Sequence, residues 1–328
     1  MVRFLIIRFS SIGDIILTTP VIRNLKNQVE GSEIHFLVKE QYKPLLASNP
    51  YIDKLWVLKG SLKDVLRELK DTGFDYIIDL HHNMRSAVVK NSLGRVSFDV
   101  DKLNFRKWLL VNLKINRLPD KHIVDRYMET VKLFDVKNDG RGLDYFIPPE
   151  EEISITSLQK PFNKGYVILV IGAQHNTKTI PPEKLELICR TLKKPVIIIG
   201  GRKERETGEA LIRALPDHHL LNGCGKFSLN QSASLIRQAL LIITPDTGMM
   251  HIASAFHKKI LSVWGNTVPA FGMTPYLPDP VSEIYQVEGL SCRPCSKIGY
   301  EKCPKHHFNC MMQQDFEKLV STANRLTD

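Results

Sequence analysis

The chain has 328 residues, of which 43% are hydrophobic and 24% charged, a composition typical of a soluble globular protein. The 45 basic against 35 acidic side chains leave a formal net charge of +10, which favours a polyanionic partner, although solubility alone explains the charge equally well. No stretch has the dense Lys/Arg run of a nucleic-acid arm, and no apolar run reaches the roughly 18 residues of a transmembrane helix.

The first residues predict a strand and not a signal peptide. Arg8 and Asp14 interrupt the apolar stretch that begins at Phe4 before it becomes long enough for an export signal. We therefore expect a cytoplasmic protein, and any membrane contact should be peripheral.

Short apolar runs alternate with helix-period segments along the whole chain. The predicted strands are 3–8, 33–38, 54–57, 76–80, 166–171, 195–200, 239–244 and 259–264. The predicted helices are 20–27, 62–69, 182–192, 204–215, 229–238 and a closing helix at 315–326. This alternation indicates an α/β protein with parallel sheets, whose ligands bind beyond the carboxyl ends of the strands.

A joint is predicted near residues 146–152, where Pro148-Pro149 and an acidic run interrupt the alternation. The length allows two domains of about 150 residues each. We expect domains at 1–150 and 151–328, both Rossmann-like and doubly wound, facing each other across a cleft.

The most informative segment is Phe9 to Asp14, which follows the first predicted strand. The small residues Ser11 and Gly13 allow another molecule to approach the backbone, and free amides at a helix start attract anions. Asp14 is a candidate base, although an aspartate at this position also caps helix amides.

Polar and cationic side chains also leave the predicted strand 76–80. His81, Asn83 and Arg85 form a candidate site for an anionic acceptor, or they solvate a surface. The nearby pair Asp99 and Asp101 matches the DxD motif of metal-dependent glycosyltransferases, but such spacing arises often by chance and we discount it.

In the second half, three strand-to-helix turns carry candidate groups for a nucleotide. Lys178, preceded by Thr177, is placed to neutralise a departing pyrophosphate, although exposed lysines are common. Glu204 is placed to bond a ribose hydroxyl, or it is an ordinary first-turn helix acid.

The third of these turns comes after strand 239–244. Gly248 permits close backbone approach, Thr247 offers a hydroxyl, and His251 lies one helix turn further on. Asp246 is expected to brace the loop or to accept a sugar hydroxyl. The simpler interpretation is a helix cap with an incidental histidine.

Four of the six cysteines lie within residues 292–310. Cys292, Cys295, Cys303 and Cys310 begin as a CxxC pair, which is moderately specific for structural zinc or an iron–sulfur cluster. Free buried thiols are the alternative, and disulfides are least expected in the cytoplasm.

Taken in order, the motifs SSIGD, DLHHN, the GA and TK pair at 172–178, the GG and E at 200–204, and DTGMMHIA resemble one family. They are similar to the lipopolysaccharide heptosyltransferases of glycosyltransferase family nine, over nearly the whole chain. The resemblance implies the two-domain GT-B architecture, in which the first domain binds the acceptor and the second binds the nucleotide sugar.

The resemblance also implies an inverting, metal-independent transfer of heptose from ADP-heptose to the inner core of lipopolysaccharide, with a Kdo-lipid A type acceptor. Asp14 would be the general base and Lys178 would stabilise the leaving diphosphate. Donor contacts would come from Thr177, Glu204, Asp246, Thr247, Gly248 and His251. The anionic, membrane-borne acceptor fits the +10 charge, and it implies peripheral contact with the inner face of the inner membrane.

Two other hypotheses stay open on the sequence. A nucleotide-sugar epimerase can use the same architecture without an acceptor. A nucleic-acid-binding protein with zinc in the Cys/His segment is the other, but it needs a concentrated basic stripe with interleaved aromatic residues, which the sequence does not contain.

Overall fold

The computed structural model describes residues 1–328, which divide into two α/β units. The first comprises Met1–Lys102 and Lys121–Phe146, and the second comprises Leu103–Asp120 and Ile147–Asp328. The final change of unit lies between Phe146 and Ile147, beside the Pro-Pro pair, whereas the excursion of 103–120 into the second unit is not apparent from the sequence.

The elements of the first 146 residues alternate between strand and helix. In chain order they are β1 (Val2–Ile7), α1 (Ile12–Ile16), α2 (Thr19–Gln28), β2 (Ser32–Lys39), β3 (Lys54–Leu58), α3 (Leu62–Thr72), β4 (Tyr76–Asp79), α4 (Met84–Leu93), β5 (Val96–Asp99), α5 (Asn104–Leu113) and α6 (Ile123–Glu129).

The first unit is built on a five-stranded parallel sheet in the order β3-β2-β1-β4-β5. The central strand β1 is covered on both faces, which explains why Phe4, Leu5, Ile6 and Ile7 are all apolar and all fully buried. The crossover helices α3 and α4 each end at a glycine in the left-handed region, Gly73 at φ 70° and Gly94 at φ 61°.

A buried arginine binds the last segment of the first unit to helix α2. The Arg23 side chain on α2 is fully inaccessible, and its guanidinium binds the carboxylates of Asp139 and Asp144 and the carbonyl of Gly142. This pairing ties the segment that precedes the unit boundary back onto α2. Loss of one partner of such a buried pair costs about 3–5 kcal/mol.

The elements of the second half continue the alternation. They are β6 (Val167–Val170), α7 (Pro182–Thr191), β7 (Val196–Ile199), α8 (Arg205–Ala214), β8 (Leu220–Asn222), α9 (Leu229–Gln238), β9 (Leu241–Pro245), α10 (Gly248–Ala255), β10 (Ile260–Trp264), β11 (Glu283–Gln286), α11 (Asn309–Met312) and α12 (Phe316–Thr327).

The second unit has a six-stranded parallel sheet in the order β11-β10-β9-β6-β7-β8. Its core lies between this sheet and helices α7, α8 and α12, with Leu169, Ile198 and Leu319 among its fully buried members.

Two segments dock onto the second unit from outside its βα repeats. Glu151 accepts a hydrogen bond from Asn230 at 2.7 Å, and Glu152 accepts one from Ser234 at 3.0 Å, so the acidic run after the joint is fastened to α9. Helix α5 is fastened through Lys114, whose Nζ donates to the carbonyls of Pro294 at 2.8 Å and Cys292 at 3.3 Å.

All eight predicted strands and all six predicted helices are present, and the α/β class with two parallel sheets is confirmed. The prediction missed the short strands β5, β8 and β11 and helices such as α5 and α6. These elements have three to ten residues, and β5 exposes both ends, so their apolar pattern is weak. No helix is long and apolar enough to cross a membrane.

Candidate functional site

In each unit the candidate residues gather where the strand order reverses. In the first sheet β1 lies between β2 and β4, and in the second β6 lies between β9 and β7. The crossovers on the two sides of such a strand run in opposite directions and leave a crevice at its carboxyl end. Asp14 and His81 follow β1 and β4, whereas Lys178 and Asp246 follow β6 and β9.

Asp14 lies at the third position of the short helix α1. Its Oδ2 accepts hydrogen bonds from the hydroxyl of Ser11 at 2.8 Å and from the amide of Ser11 at 3.3 Å, and its Oδ1 lies 2.6 Å from Arg8 Nη2. The carboxylate therefore caps the helix, as the simpler interpretation expects. Its side chain nevertheless keeps 23% of its surface exposed, so a bound molecule can reach it.

Burial would raise the pKa of Asp14, but the charge of Arg8 and the hydrogen bonds from Ser11 outweigh it, so this pKa lies below its ordinary value. Asp14 is consequently ionised at neutral pH and is able to accept a proton. Burial lowers the pKa of the Arg8 guanidinium, but Asp14, Tyr127 and Asp79 together raise it above its ordinary value.

Arg8 was not among the predicted site residues, because in the sequence it only interrupts an apolar run. Its guanidinium donates to the carbonyls of Ser10 at 2.7 Å and Leu80 at 2.6 Å and lies 3.2 Å from the Tyr127 hydroxyl. An arginine directly after four buried strand residues was the available signal. Tyr127, more than a hundred residues away, gave none.

His81 lies in the same electrostatic environment. Burial lowers its pKa to about 4, assisted by the positive charges of Arg8 and Lys102, so its imidazole is neutral at pH 7. The ring meets Phe9 edge to face at 5.2 Å. Its backbone amide donates to the buried carboxylate of Asp79 at 3.0 Å, which fixes the turn after β4.

The other predicted acceptor residues differ in their burial and in their structural contacts. Gly13 is buried within α1. The Asn83 side chain caps α4 by accepting the Ser86 amide at 3.0 Å, whereas Arg85 is exposed on the first turn of that helix. Their binding role stays a prediction.

Asp99 of the discounted DxD pair is engaged in an ion pair. Lys90 Nζ lies 2.6 Å from the Asp99 carboxylate and 3.1 Å from that of Asp79. Lys90 therefore neutralises two acids at the sheet edge.

In the second unit, Lys178 and Asp246 meet at the carboxyl edge of the sheet. Lys178 ends a single 3₁₀ turn after β6, and its Nζ donates to Asp246 Oδ2 at 2.6 Å. The Thr267 hydroxyl donates to the same oxygen at 2.8 Å. An ammonium group has three N–H donors, so this pair orients Lys178 and leaves donors for an anion.

Helix α10 starts directly beside this ion pair. Thr247 is its N-cap and Gly248 its first residue, and the Thr247 hydroxyl lies 3.3 Å from that of Thr244. His251 is buried within the helix, with 2% of its surface exposed. The unpaired first-turn amides of α10 thus come directly after Asp246, the residue that Lys178 binds.

Glu204 occupies the turn after β7. Its Oε2 accepts the amide of Gly201 at 2.8 Å. A Cβ at Gly200 would lie 2.9 Å from the Glu204 Cβ, and one at Gly172 would lie 3.2 Å from Glu204 Oε2, so both glycines make room for this side chain. The structure assigns Glu204 a capping contact, and a ribose contact stays a prediction.

Thr177 contacts the cysteine-rich segment, and its donor-binding role stays a prediction. Its amide donates to the Tyr300 carbonyl at 3.0 Å, and its hydroxyl accepts the Tyr300 amide at 2.8 Å. The Asn266 side chain donates to the Ser296 hydroxyl at 3.2 Å, and the Cys295 amide donates to the Asn266 carbonyl at 3.2 Å. Residues 292–310 therefore support the turn that carries Lys178.

The four cysteines of this segment lie close enough to influence one another electrostatically. Burial, and then the neighbouring Cys295, raise the pKa of Cys310 to about 12. Cys292 Sγ lies 3.9 Å from His307 Nε2. No group of three or more His, Cys, Asp or Glu side chains is arranged to hold a metal ion, so the zinc or iron–sulfur site stays a prediction.

The model of glycosyltransferase family 9 (heptosyltransferase) matches residues 63–305, which is most of the chain and includes the Lys178 and Asp246 turns. The chain belongs to glycosyltransferase family 9. The family resemblance of the motifs and the assignment as a glycosyltransferase are thereby confirmed, in preference to the epimerase and nucleic-acid-binding hypotheses.

A curated relative aligns with most of the chain, and two solved structures share its fold over nearly all of it. Lipopolysaccharide heptosyltransferase 1 of Campylobacter coli is 29% identical over 291 residues, which cover 81% of this chain and 84% of that protein. The family 9 glycosyl transferase structure from Veillonella parvula has a TM-score of 0.79 at 20% identity and covers 99% and 97% of the two chains. Escherichia coli ADP-heptose lipopolysaccharide heptosyltransferase II has a TM-score of 0.75 at 19% identity, with coverage of 99% and 98%. The two structures show the same fold.

The depressed pKa of His81 predicts a stability change in mild acid. The folded group has a pKa of about 4 against 6.5 for the free side chain, so between these pH values the unfolded chain binds more protons. Stability should therefore fall as the pH is lowered from 6.5 to 4, and His81→Gln should reduce this slope in urea unfolding. The exposed His219→Gln serves as the control and should keep the parental slope. An NMR titration that places the His81 pKa near 6.5 would contradict the prediction.

Proposed function

We propose that this family 9 enzyme transfers heptose from ADP-heptose to an anionic, lipid-linked saccharide of the lipopolysaccharide inner core. The observation that carries the proposal is the pair of sites at the two strand-order reversals, with an ionised carboxylate in one unit and a cation beside a helix N-terminus in the other. The matching family model and the name of the Campylobacter relative support the same substrate class.

Asp14 acts as the general base in this proposal. The acceptor hydroxyl gives its proton to the Asp14 carboxylate while its oxygen attacks the anomeric carbon, and the bond from that carbon to the diphosphate oxygen breaks with its electron pair leaving on ADP. Attack opposite the leaving group inverts the anomeric centre, so one carboxylate is sufficient. The contacts from Arg8 and Ser11 hold Asp14 ionised and fixed before the acceptor arrives.

Lys178 and the first turn of α10 meet the charge that builds on the leaving diphosphate. Lys178 is held by Asp246, which in turn is held by Thr267, so the ammonium is oriented before the donor binds. A cation and helix amides at this position supply the charge stabilisation that a divalent metal provides in other enzymes. Glu204, Thr247, Gly248 and His251 complete the proposed donor-binding set.

The acceptor side of the proposal uses Ser11, Gly13, His81, Asn83 and Arg85. Exposed Arg85 suits a phosphate or carboxylate of the acceptor, and neutral His81 suits a hydroxyl. Since the acceptor is lipid-linked, the enzyme works at the inner face of the inner membrane through peripheral contact.

We expect Asp14→Asn to reduce kcat by about 10²–10⁴-fold, because a positioned base contributes that factor, while leaving ADP affinity nearly unchanged. Asp64→Asn is the matched control: Asp64 also stands at the third position of a helix that follows a serine N-cap, α3, but it is exposed. If the two variants had equal turnover, Asp14 would be only a helix cap and not the general base. Heptose transfer and calorimetric ADP titration are measured in parallel.

In calorimetric titration ADP should bind more tightly than UDP or GDP, and Lys178→Met should weaken ADP binding about tenfold or more, the value of a charged hydrogen bond. Lys193→Met removes a lysine that pairs with Asp328 at an exposed position and should leave the affinity unchanged. A preference for UDP would overturn the ADP-sugar assignment and redirect the search to other donors.

The cysteine-rich segment is proposed to hold structural zinc or an iron–sulfur cluster. Four thiolates are ligands that suit either metal. Metal binding would bring the four sulfur atoms closer together than they lie in the structure. It assigns the metal a supporting role for the Lys178 turn and no step in the transfer.

Elemental analysis of protein purified without added metal should find about one zinc, or the iron of one cluster, per chain. Cys303→Ser should lower the metal content, and Cys189→Ser, which alters a buried thiol in α7, should not. Substoichiometric zinc and iron in the parent protein would contradict the proposal.

A further inference from the structure

Helix α5 exposes two aromatic rings on one face. Phe105 is 71% exposed and Trp108 is 47% exposed, and their rings stack with centroids 6.3 Å apart. Leu113 and Ile115, at and just beyond the end of the helix, are about half exposed. Large apolar side chains grouped in this way cost free energy in water and mark a contact surface.

The opposite face of α5 holds the helix on the second unit. Leu110 is buried, Lys107 Nζ lies 6.0 Å from the centre of the Phe271 ring, and Lys114 Nζ donates to the carbonyls of Cys292 and Pro294. Lys107, Leu110 and Lys114 recur at helical spacing, three and four residues apart. These contacts fix the orientation of the helix. Phe105 and Trp108 are therefore held on its exposed side.

The segment that carries this face is cationic. Residues 102–119 contain five basic side chains and no acidic one. Among the basic residues, Arg106 and Arg117 are exposed beside the aromatic face. Basic residues close to an anionic membrane are attracted to its surface.

We propose that the exposed face of α5, formed by Phe105, Trp108, Leu113 and Ile115 and bordered by Arg106 and Arg117, docks on an anionic phospholipid surface. Aromatic and aliphatic side chains enter the headgroup boundary while arginines remain at the phosphates, which is the pattern of an interfacial helix. This inference rests on the proposed function in one respect, because a lipid-linked acceptor requires the enzyme to reach the membrane. The cationic border favours an anionic bilayer over a second copy of this chain, since two such faces would repel each other.

The protein provides its own probe for this contact. Of its three tryptophans, Trp56 and Trp264 are buried and Trp108 is exposed, so a change in tryptophan emission on vesicle binding reports on α5. Full-length protein mixed with phosphatidylglycerol-containing vesicles should show a blue shift, and lipids brominated on the acyl chains should quench it. Neutral phosphatidylcholine vesicles should bind at least tenfold more weakly, and raised salt should weaken binding to anionic vesicles.

Phe105→Ser should lower the partition coefficient for anionic vesicles about tenfold, and Arg106→Glu should do so in a salt-dependent manner. Leu133→Ser is the matched control, because Leu133 is 79% exposed in the first unit but lies outside α5. All three variants should keep the parental circular dichroism and the parental ADP affinity. Failure of vesicle binding and failure of the donor assignment are therefore separate outcomes.

Three results would overturn the proposal. One is equal vesicle binding by Phe105→Ser and the parent, and another is an unchanged Trp108 emission on anionic vesicles. The third is a concentration-dependent dimer that Phe105→Ser abolishes, which would assign the surface to a second copy of the chain.

Discussion

The parallel pairing of every strand is the constraint on which the rest of the structure depends. A parallel neighbour can be reached only by a crossover to the far end of the sheet, so all strands of one sheet end at the same edge. That edge collects turns that are distant in sequence. In the first unit it places Arg8 and Leu80 in hydrogen-bond contact, and in the second it places Lys178 against Asp246. In each unit the candidate site residues are brought together because all strands of its sheet end at the same edge.

Much of this could be predicted from the sequence, because buried parallel strands are continuous apolar runs and their turns carry glycine and polar residues. Asp14, Lys178 and Asp246 follow predicted strands and are candidates for that reason. Their partners were less accessible. Arg8 was visible only as an irregularity in an apolar run, and Tyr127 approaches it from a helix that the pattern did not predict. Pairing of side chains across a sheet edge depends on strand order, which a single sequence does not contain.

The cysteine-rich segment also has contacts that its sequence does not predict. Its thiols suggested a metal, whereas the structure also gives its backbone a role. Tyr300 forms three hydrogen bonds with Thr177, the residue before Lys178. Arg293 donates to the carbonyls of Gly265 at 2.6 Å and Thr267 at 2.8 Å. The segment thus supports the turn that carries Lys178 and the turn after β10, whose Thr267 hydroxyl binds Asp246.

The excursion of residues 103–120 makes the chain pass between the two units three times, at 102/103, at 120/121 and at 146/147. A single break in the chain therefore cannot separate the two units. A fragment ending at Phe146 would carry α5 without the surface that buries Leu110, and the complementary fragment would lack the lysine that binds the carbonyls of Cys292 and Pro294. A cut at the Pro-Pro joint therefore separates α5 from the unit with which it packs. An exchange of whole domains at that joint would have to replace this helix as well.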